Sequence, residues 1–306
     1  MSKPDILLIG GSGFIGSHLA QRLSDDGWRV AILDRIGPPL LAEGCEVILG
    51  ELRDPRALRD AFRRYRRIVY LAHESQTAPA ADRLAANLTG NIELFLLVLQ
   101  EAIADGLEEF TLFSSGGAVY GEPARVPTAE DAPTNPLSPY GIAKLTMEKY
   151  LAMAASNAGF RHLCLRPSNP YGPGQNFAGA QGLVAVSMAR AARGQSIRIF
   201  GDGSATKDYL FIDDLVAAVA ALLNSHQTSG VFNIGTGRGL AVTELLRLIE
   251  ATVGKELVLT FDDSRPGDVS RNILSYEKLH LATGWRPECD IENGLARTWN
   301  WMQPLI

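Results

Sequence analysis

Two residues near the middle of the chain could perform acid–base chemistry together. Tyr140 and Lys144 are four positions apart in a segment with helical periodicity, which places both side chains on one face of a helix. An ammonium about 4 Å from a phenolate stabilises it by about 4 kcal/mol at an effective dielectric of 20, equivalent to about 3 pKa units. We therefore predict that Lys144 lowers the pKa of Tyr140 enough for the phenol to act as a base near neutral pH.

A glycine-rich turn near the amino terminus has the features of a phosphate-binding loop. The apolar run at residues 6–9 leads into a G-x-x-G-x-x-G sequence, and a segment with helical periodicity follows. Glycines let the backbone approach a pyrophosphate, and the amides at the helix amino terminus meet its charge. The turn predicts a dinucleotide site formed by Gly10, Gly13, Phe14, Ile15 and Gly16.

An acidic residue at the end of the second predicted strand indicates which cofactor binds. Asp34 lies 18 residues after Gly16, where a carboxylate accepts hydrogen bonds from the adenosine ribose and repels a 2′-phosphate. We therefore predict NAD, although Arg35 leaves NADP open because a guanidinium can accommodate that phosphate. Further cofactor contacts are predicted after the third and fourth strands, at Glu51 and Leu52, for which a plain polar loop is the alternative, and at Leu71 and Ala72.

The elements that must position these residues follow a βαβ pattern. Helical segments alternate with short apolar runs at residues 6–9, 29–34, 46–49, 68–72, 110–114 and 162–166. In the third helical segment Leu58, Ala61, Phe62 and Tyr65 form one apolar stripe at helical spacing. The alternation predicts an α/β fold with a Rossmann-type, doubly wound parallel sheet.

The composition and the pattern of predicted elements change after residue 166. Proline and glycine become dense, and helical patterns recur at residues 214–224, 242–252 and 291–301. We predict an NAD-binding domain at residues 1–166 and a smaller C-terminal substrate-binding lobe at 167–306, with some later segments returning to the first domain.

Composition and charge exclude several classes of function. The 306 residues are 46% hydrophobic and 21% charged, which is typical of a folded chain. A net charge of −5 gives no general attraction to nucleic acid, and no apolar run approaches the roughly 18 residues that span a bilayer. The three cysteines, Cys45, Cys164 and Cys289, are odd in number and lack metal-ligand spacing. We predict a cytoplasmic protein with no metal site and no membrane or nucleic-acid partner.

Seven motifs, in order along almost the whole chain, resemble those of the extended short-chain dehydrogenase/reductase family. They are GGSGFIG at 10–16, SSGGAVYG at 114–121, SPYGIAK at 138–144, RPSNPYGP at 166–173, KDYLFIDD at 207–214, NIGTG at 233–237 and RPGD at 265–268. More narrowly, they are similar to the NAD-dependent nucleotide-sugar epimerase and dehydratase branch. The series is specific for fold and cofactor and less so for the sugar.

The resemblance implies a role for each matching residue. Tyr140 would take the proton of a sugar hydroxyl while hydride passes from that carbon to the nicotinamide, and Lys144 would bind the nicotinamide ribose. Asn87 matches a family asparagine near the cofactor. The nucleoside diphosphate would be held by Asn169, Lys207, Arg265 and Asp268.

Two departures from the family pattern bear on mechanism. The usual catalytic serine or threonine aligns with Gly116, so either Ser115 takes its role or Tyr140 works alone. Lys207 stands where the family usually has arginine, which loses the bidentate geometry toward phosphate. His73 is a second candidate acid or base, with a structural or ribose-contacting role as the favoured interpretation.

These observations favour an NAD-dependent epimerase of a nucleotide-diphosphate sugar. We predict a UDP-sugar inverted at C4 through a transient 4-keto intermediate. An NAD(P)H-dependent 4-keto reductase is one alternative, and a catalytically weakened NAD and nucleotide-sugar binding protein is another. A dehydratase is disfavoured because that branch has an acidic pair where this chain has Gly117 and Ala118. The helical patterns at 84–104 and 140–156 match elements that pair between subunits in the family, which predicts a homodimer.

Overall fold

A computed structural model of the chain describes residues 5–38, 44–73, 83–179, 182–264 and 267–306. Backbone contacts divide the chain into two compact units. Unit 1 comprises Met1–Val119, Pro136–Arg166 and Val219–Phe232, and unit 2 comprises Tyr120–Asn135, Pro167–Ala218 and Asn233–Ile306.

The first part of the chain alternates strands and helices. Its elements are β1 (Asp5–Ile9), α1 (Phe14–Asp25), β2 (Arg29–Asp34), β3 (Glu46–Leu49), α2 (Pro55–Phe62), β4 (Arg67–Tyr70), α3 (Arg83–Ala104), β5 (Glu109–Phe113), α4 (Gly116–Val119), α5 (Pro139–Ala158) and β6 (Arg161–Pro167). The elements that follow are β7 (Asn169–Tyr171), α6 (Leu183–Ala192), β8 (Ile197–Phe200), β9 (Thr206–Lys207), β10 (Tyr209–Phe211), α7 (Ile212–Asn224), β11 (Gly230–Ile234), β12 (Leu240–Ala241), α8 (Val242–Val253), β13 (Leu259–Asp262), β14 (Arg271–Asn272), α9 (Glu277–Thr283) and α10 (Ile291–Met302).

A seven-stranded sheet forms the centre of the fold. Its strand order is β11-β6-β5-β4-β1-β2-β3, and the neighbouring pairs from β6 to β3 run parallel. The order reverses between β1 and β4, where open α/β sheets bind ligands at the carboxyl ends of the strands. The predicted Rossmann-type parallel sheet is confirmed.

The sheet is buried on both faces, which explains why its strands read as continuous apolar runs. Side chains Leu7 and Ile9 of β1 join a cluster with α2, α3 and α5, and the alternating residues Ile6 and Leu8 are equally buried. Burial of each such side chain contributes about 1.5–3 kcal/mol. This packing holds the strand ends rigidly in place.

Two helices that matter for the site begin at capped termini. Asp54 accepts a hydrogen bond from the amide of Arg56 at the start of α2, and Ser138 accepts one from the amide of Gly141 at the start of α5. Proline follows each cap, where its fixed φ suits the first helical position. The cap at Ser138 sets the register of Tyr140 and the residues after it.

The structure shortens some predicted elements. The strand predicted at 68–72 ends at Tyr70, although the amide of Leu71 still donates to the carbonyl of Ile9. Helix α2 ends at Phe62, so Tyr65, predicted on its apolar stripe, lies beyond it. Tyr65 is nevertheless buried, because the chain turns there to enter β4 and its hydroxyl donates to Glu46.

Unit 2 contains three small sheets in place of one large sheet. Their strand orders are β10-β7, β12-β9-β14 and β13-β8. Helix α8 packs against α6 and α10. Throughout the described segments of the chain, no helix combines the length and apolar character needed to cross a membrane.

Candidate active site

The glycine turn between β1 and α1 is shaped by close backbone packing. Gly10 has φ +74°, and a Cβ there would lie 2.7 Å from the Cα of Ala72. A Cβ at Gly16 would overlap the carbonyl oxygen of Gly11, so α1 can approach the turn only with glycine there. A Cβ at Gly13 would have its nearest neighbour 4.0 Å away. The turn is therefore tight on the protein side and open at Gly13.

The open side of the turn is the amino terminus of α1. Gly13 is the N-cap and provides no side-chain hydrogen bond to the first turn, which starts with Phe14 and Ile15. Amides at a helix amino terminus carry partial positive charge and bind phosphate well. This combination fits the pyrophosphate of NAD.

Asp34 is fixed beside the same turn. One carboxylate oxygen accepts the amide of Ser12 at 3.0 Å, and the other accepts the amide of Arg35 at 2.7 Å. The hydroxyl of Ser12 donates to the carbonyl of Ile36 at 2.6 Å, which ties the end of β2 to the turn. A negative charge held here fits a ribose with free hydroxyls and opposes a 2′-phosphate.

The other predicted cofactor residues have different positions in the structure. Leu71 and Ala72 follow β4, and Ala72 touches the glycine turn. After β3, Leu52 is buried and Glu51 is exposed. Asn87 lies in the first part of α3, where the structure describes the backbone. Arg265 lies outside the described residues.

Tyr140, Lys144 and Ser115 come together where β5 meets α5. Lys144 is buried, and its Nζ donates to the carbonyl oxygen of Phe113 at 2.8 Å. The same Nζ lies 5.8 Å from the centroid of the Tyr140 ring. The Ser115 hydroxyl hydrogen-bonds the Tyr140 side chain. Tyr140 keeps 36% of its surface exposed.

Electrostatics at this cluster differ from the sequence-based expectation. The pKa of Tyr140 is raised, because burial of the phenolate outweighs the lowering by the Ser115 hydrogen bond. The net pKa of Tyr140 is therefore raised and not lowered as predicted, because the spacing argument counted the charge of Lys144 and left out the loss of hydration. The pKa of Lys144 is lowered to about 8 by burial, against the opposing charge of Glu148.

His73 is a neighbour of Tyr140. The ring centroids are 5.0 Å apart at an interplanar angle of 80°. The pKa of His73 is lowered to about 4, first by loss of hydration and then by the charge of Lys144, although the residue as a whole is exposed. His73 is therefore uncharged at neutral pH and meets Tyr140 through its ring.

Sequence reasoning missed a buried charged network behind this cluster. Glu148 receives two hydrogen bonds from the Arg166 guanidinium, at 3.0 and 2.6 Å, and one from the Ser114 hydroxyl. The Glu148 and Arg166 side chains are 3% and 4% exposed. The spacing of four between Lys144 and Glu148 was the signal that could have revealed it.

Asp208 forms a second buried centre, in unit 2. Its carboxylate accepts the amides of Thr236, Gly237 and Leu274 and the hydroxyl of Thr236. Burial still raises the pKa of Asp208 despite these hydrogen bonds. The backbone carbonyl oxygen of Asp208 accepts a hydrogen bond from Nδ2 of Asn169 at 2.9 Å. Asp208 and its hydrogen-bond partners form the Asp208 hub, which therefore also orients the side chain of Asn169, a predicted substrate-binding residue.

Lys207 and Asp268 interact electrostatically in unit 2. The Nζ of Lys207 donates to the carbonyl of Val269 at 2.6 Å, and the Asp268 charge raises the Lys207 pKa against the stronger effect of burial. Glu122 accepts the Ser270 amide at 2.8 Å. The segment that carries Asp268 is therefore held from two sides.

Comparison with known proteins identifies the family. Residues 6–235 match the NAD dependent epimerase/dehydratase family. UDP-glucose 4-epimerase of Mycolicibacterium smegmatis is 32% identical over 302 residues, 95% of this chain and 96% of the relative. The structure of UDP-glucose 4-epimerase from Thermotoga maritima with UDP-glucose is 34% identical and has a TM-score of 0.90. The alignment covers 98% of this chain and 99% of that one. The enzyme from Thermus thermophilus in complex with NAD is 31% identical with the same TM-score, over 99% of this chain and 100% of that one.

The match at residues 6–235 spans the glycine turn, Asp34, and the Tyr140 and Lys144 pair. The predicted cofactor, NAD, and the predicted enzyme class are confirmed. The chain belongs to the NAD dependent epimerase/dehydratase family.

Proposed function

We propose that this protein inverts C4 of a UDP-linked hexose and uses NAD as a resident cofactor. The observation that carries the proposal is the Ser115, Tyr140 and Lys144 cluster at the carboxyl end of β5, in the unit that also carries the glycine turn and Asp34. The chemistry that NAD supplies when bound is reversible hydride transfer. Relatives over nearly the full length are UDP-glucose 4-epimerases, which supports the choice of sugar.

In the proposed mechanism, Tyr140 exchanges one proton with the sugar. Tyr140 must first lose its own proton; the resulting phenolate takes the proton of the C4 hydroxyl as that carbon gives up hydride, and returns it after the 4-keto sugar has presented its other face. Ser115 hydrogen-bonds Tyr140 and supplies the hydroxyl that Gly116 lacks. Because burial disfavours the phenolate, the positive charge of Lys144 is needed to offset that cost. Lys144 also binds the nicotinamide ribose in this proposal.

We assign the nucleoside diphosphate to unit 2. Asn169, Lys207 and Asp268 supply an amide, a cation and a carboxylate within that unit, and the motif position of Arg265 adds a guanidinium suited to phosphate. NAD binding and proton transfer are assigned to unit 1. This assignment uses the domain division predicted from the sequence, except that Tyr120–Asn135 belongs to unit 2 and Val219–Phe232 belongs to unit 1.

We further propose that the enzyme is a cytoplasmic homodimer. Cys45, Cys164 and Cys289 are free thiols, as is usual in a reducing compartment. Helix α5 packs against α3 and exposes an apolar strip, described below, that a second copy would cover.

A substrate panel tests the function. Purified protein without added cofactor is incubated with UDP-, dTDP- and GDP-hexoses, and the anomeric protons are followed by NMR. We expect interconversion of a UDP-hexose pair to equilibrium, and much slower interconversion by Tyr140→Phe. Turnover only of a 4-keto sugar with added NADH or NADPH would identify a reductase instead. Binding without any turnover would contradict both enzymatic functions.

A further inference from the structure

The charge of Lys144 is held in an unfavourable environment. Its side chain is 3% exposed, and its Nζ donates to the carbonyl of Phe113, which is a neutral acceptor. A buried ammonium loses its hydration, and the resulting cost favours the neutral amine. Since the proposed chemistry needs the ammonium beside Tyr140, something in the fold must favour the charged form.

Glu148 lies one helical turn beyond Lys144 on α5. Both side chains are buried, and the spacing of four puts them on the same face of the helix. The Glu148 carboxylate is held by the bidentate Arg166 guanidinium from β6 and by the Ser114 hydroxyl after β5. Lys144, Glu148 and Arg166 therefore form a buried row of alternating charges behind the tyrosine.

We propose that Glu148 is a positioning residue whose fixed carboxylate keeps Lys144 charged beside Tyr140. Arg166 and Ser114 hold that carboxylate in its orientation through three hydrogen bonds. The meaning of this charge for catalysis rests on the proposed function, whereas the charge state itself can be measured without it.

The other titratable groups around Lys144 are consistent with this assignment. Tyr140 precedes it by one turn on α5, and its raised pKa makes it a neutral phenol at rest, so it adds no charge beside Lys144 until the proposed reaction begins. His73, which follows β4, is also uncharged there because its pKa is lowered to about 4. Glu148 is the charged neighbour that raises the Lys144 pKa, which stands at about 8. That value leaves little margin above physiological pH.

The test reads the titration of Lys144 directly. The chain has six lysines, so ¹³C labelling at Cε gives a simple NMR spectrum in which Lys144→Met identifies the Lys144 signal. We expect a midpoint near pH 8 in the wild type. In Glu148→Gln, the midpoint should fall by about one pH unit or more, because the charge is lost and the shape is kept. Glu148→Asp should restore most of the difference.

The matched control is Glu109→Gln. Glu109 is also a buried carboxylate of unit 1 and pairs with Arg161 at 2.6 Å, but its charge partners are Arg161, Arg67 and His226. The Glu109→Gln substitution should lower the free energy of unfolding, as Glu148→Gln does, and should leave the Lys144 midpoint unchanged. An unmoved midpoint in Glu148→Gln, or an equal shift in Glu109→Gln, would overturn the proposal. If Glu148→Gln does not fold, Arg166→Gln serves in its place: it removes a positive charge and keeps the Glu148 carboxylate, so the Lys144 midpoint should not fall, and a fall would overturn the proposal.

Activity provides an independent second readout. The alkaline limb of the pH profile of kcat should move with the NMR midpoint in each variant, since the ammonium is required. A purely structural role would lower kcat at every pH and leave the limb unmoved, which would contradict the proposal. If no UDP-hexose is turned over, the proposed function fails, and the NMR midpoint still decides the role of Glu148.

Discussion

At Tyr140, proton transfer can be separated experimentally from folding. Tyr140→Phe removes the hydroxyl and keeps the ring that packs against His73. We expect kcat to fall by about 10²- to 10⁴-fold, the usual contribution of a general acid–base group, with NAD affinity nearly unchanged. Steady-state kinetics and NAD titration check this. A near-wild-type kcat would refute the proposed proton transfer and make His73 the next candidate.

Ser115 is the candidate that would replace the hydroxyl missing at position 116. Its side chain hydrogen-bonds Tyr140, so Ser115→Ala should lower kcat by at least about tenfold, or 1.36 kcal/mol of transition-state stabilisation. Ser156→Ala, at the exposed end of the same helix, is the control and should leave kcat unchanged. A negligible loss in Ser115→Ala would mean that Tyr140 acts alone.

Asp34 should decide between the two nicotinamide cofactors. Its carboxylate is anchored by the amides of Ser12 and Arg35, which keeps a negative charge where a 2′-phosphate would lie. We expect clear preference for NAD in the wild type and loss of that preference in Asp34→Ala. Dissociation constants measured by calorimetry for NAD and NADP test this. Arg35→Ala is the control, and it should not weaken NAD binding. Equal affinities in the wild type would contradict the role of Asp34.

On the scale of elements, α5 has two different faces. One face buries Lys144, Met147 and Leu151 against the sheet and α3. The other exposes Ile142, Tyr150 and Met153, at 43%, 41% and 54% of their surfaces. These three positions follow helical spacing, so they form one apolar strip. Such a strip on a helix that already packs against α3 is suited to a four-helix interface with a second copy.

We therefore expect a homodimer that a charge on this strip disrupts. Met153→Lys should convert the dimer to a folded monomer, because an ammonium would be buried unpaired at the interface. Sedimentation velocity at micromolar concentration measures the mass. Leu281→Lys is the control, since Leu281 on α9 is 79% exposed and lies outside the strip. A monomeric wild type would refute the interface.

For the whole molecule, the histidines set part of the response to acid. The pKa of His73 is lowered to about 4 from an unfolded value near 6.5, so between these values the unfolded chain binds more protons than the folded one. The free energy of unfolding should therefore decrease as the pH falls from 6.5 towards 4. The pKa of His162 is also lowered by burial, so this residue too should decrease the free energy of unfolding as the pH falls.

His73→Gln isolates this contribution. Between pH 7.5 and pH 5, the free energy of unfolding of the variant should fall by about 1 kcal/mol less than that of the wild type. This figure is about half of what the full pKa shift would give, because His73 is exposed and solvent screens its interactions. Urea unfolding at both pH values measures the difference. Identical pH dependence in the two proteins would show that His73 has the same pKa in the folded and unfolded chain.

Local spacing explains which features could be predicted. The family, the parallel sheet, NAD and the epimerase class are predicted from the sequence and confirmed. They could be predicted because each rests on short motifs whose own residues are close together in the chain. Gly10 to Gly16 and the strand ending in Asp34 are one βαβ unit, and Tyr140 and Lys144 are one turn of helix. The roles of the individual site residues remain predictions that the variants above test.

Only the tertiary structure decided how these residues interact. Three sets of contacts join segments that are distant in sequence: the hydrogen bond between Ser115 and Tyr140, the pair of Glu148 and Arg166, and the Asp208 hub. Burial then reversed the expected direction of the Tyr140 pKa, since exclusion of water depends on all the surrounding elements at once. The sequence by itself determined which chemical groups the site contains, and the packing of the elements determined their contacts and their charge.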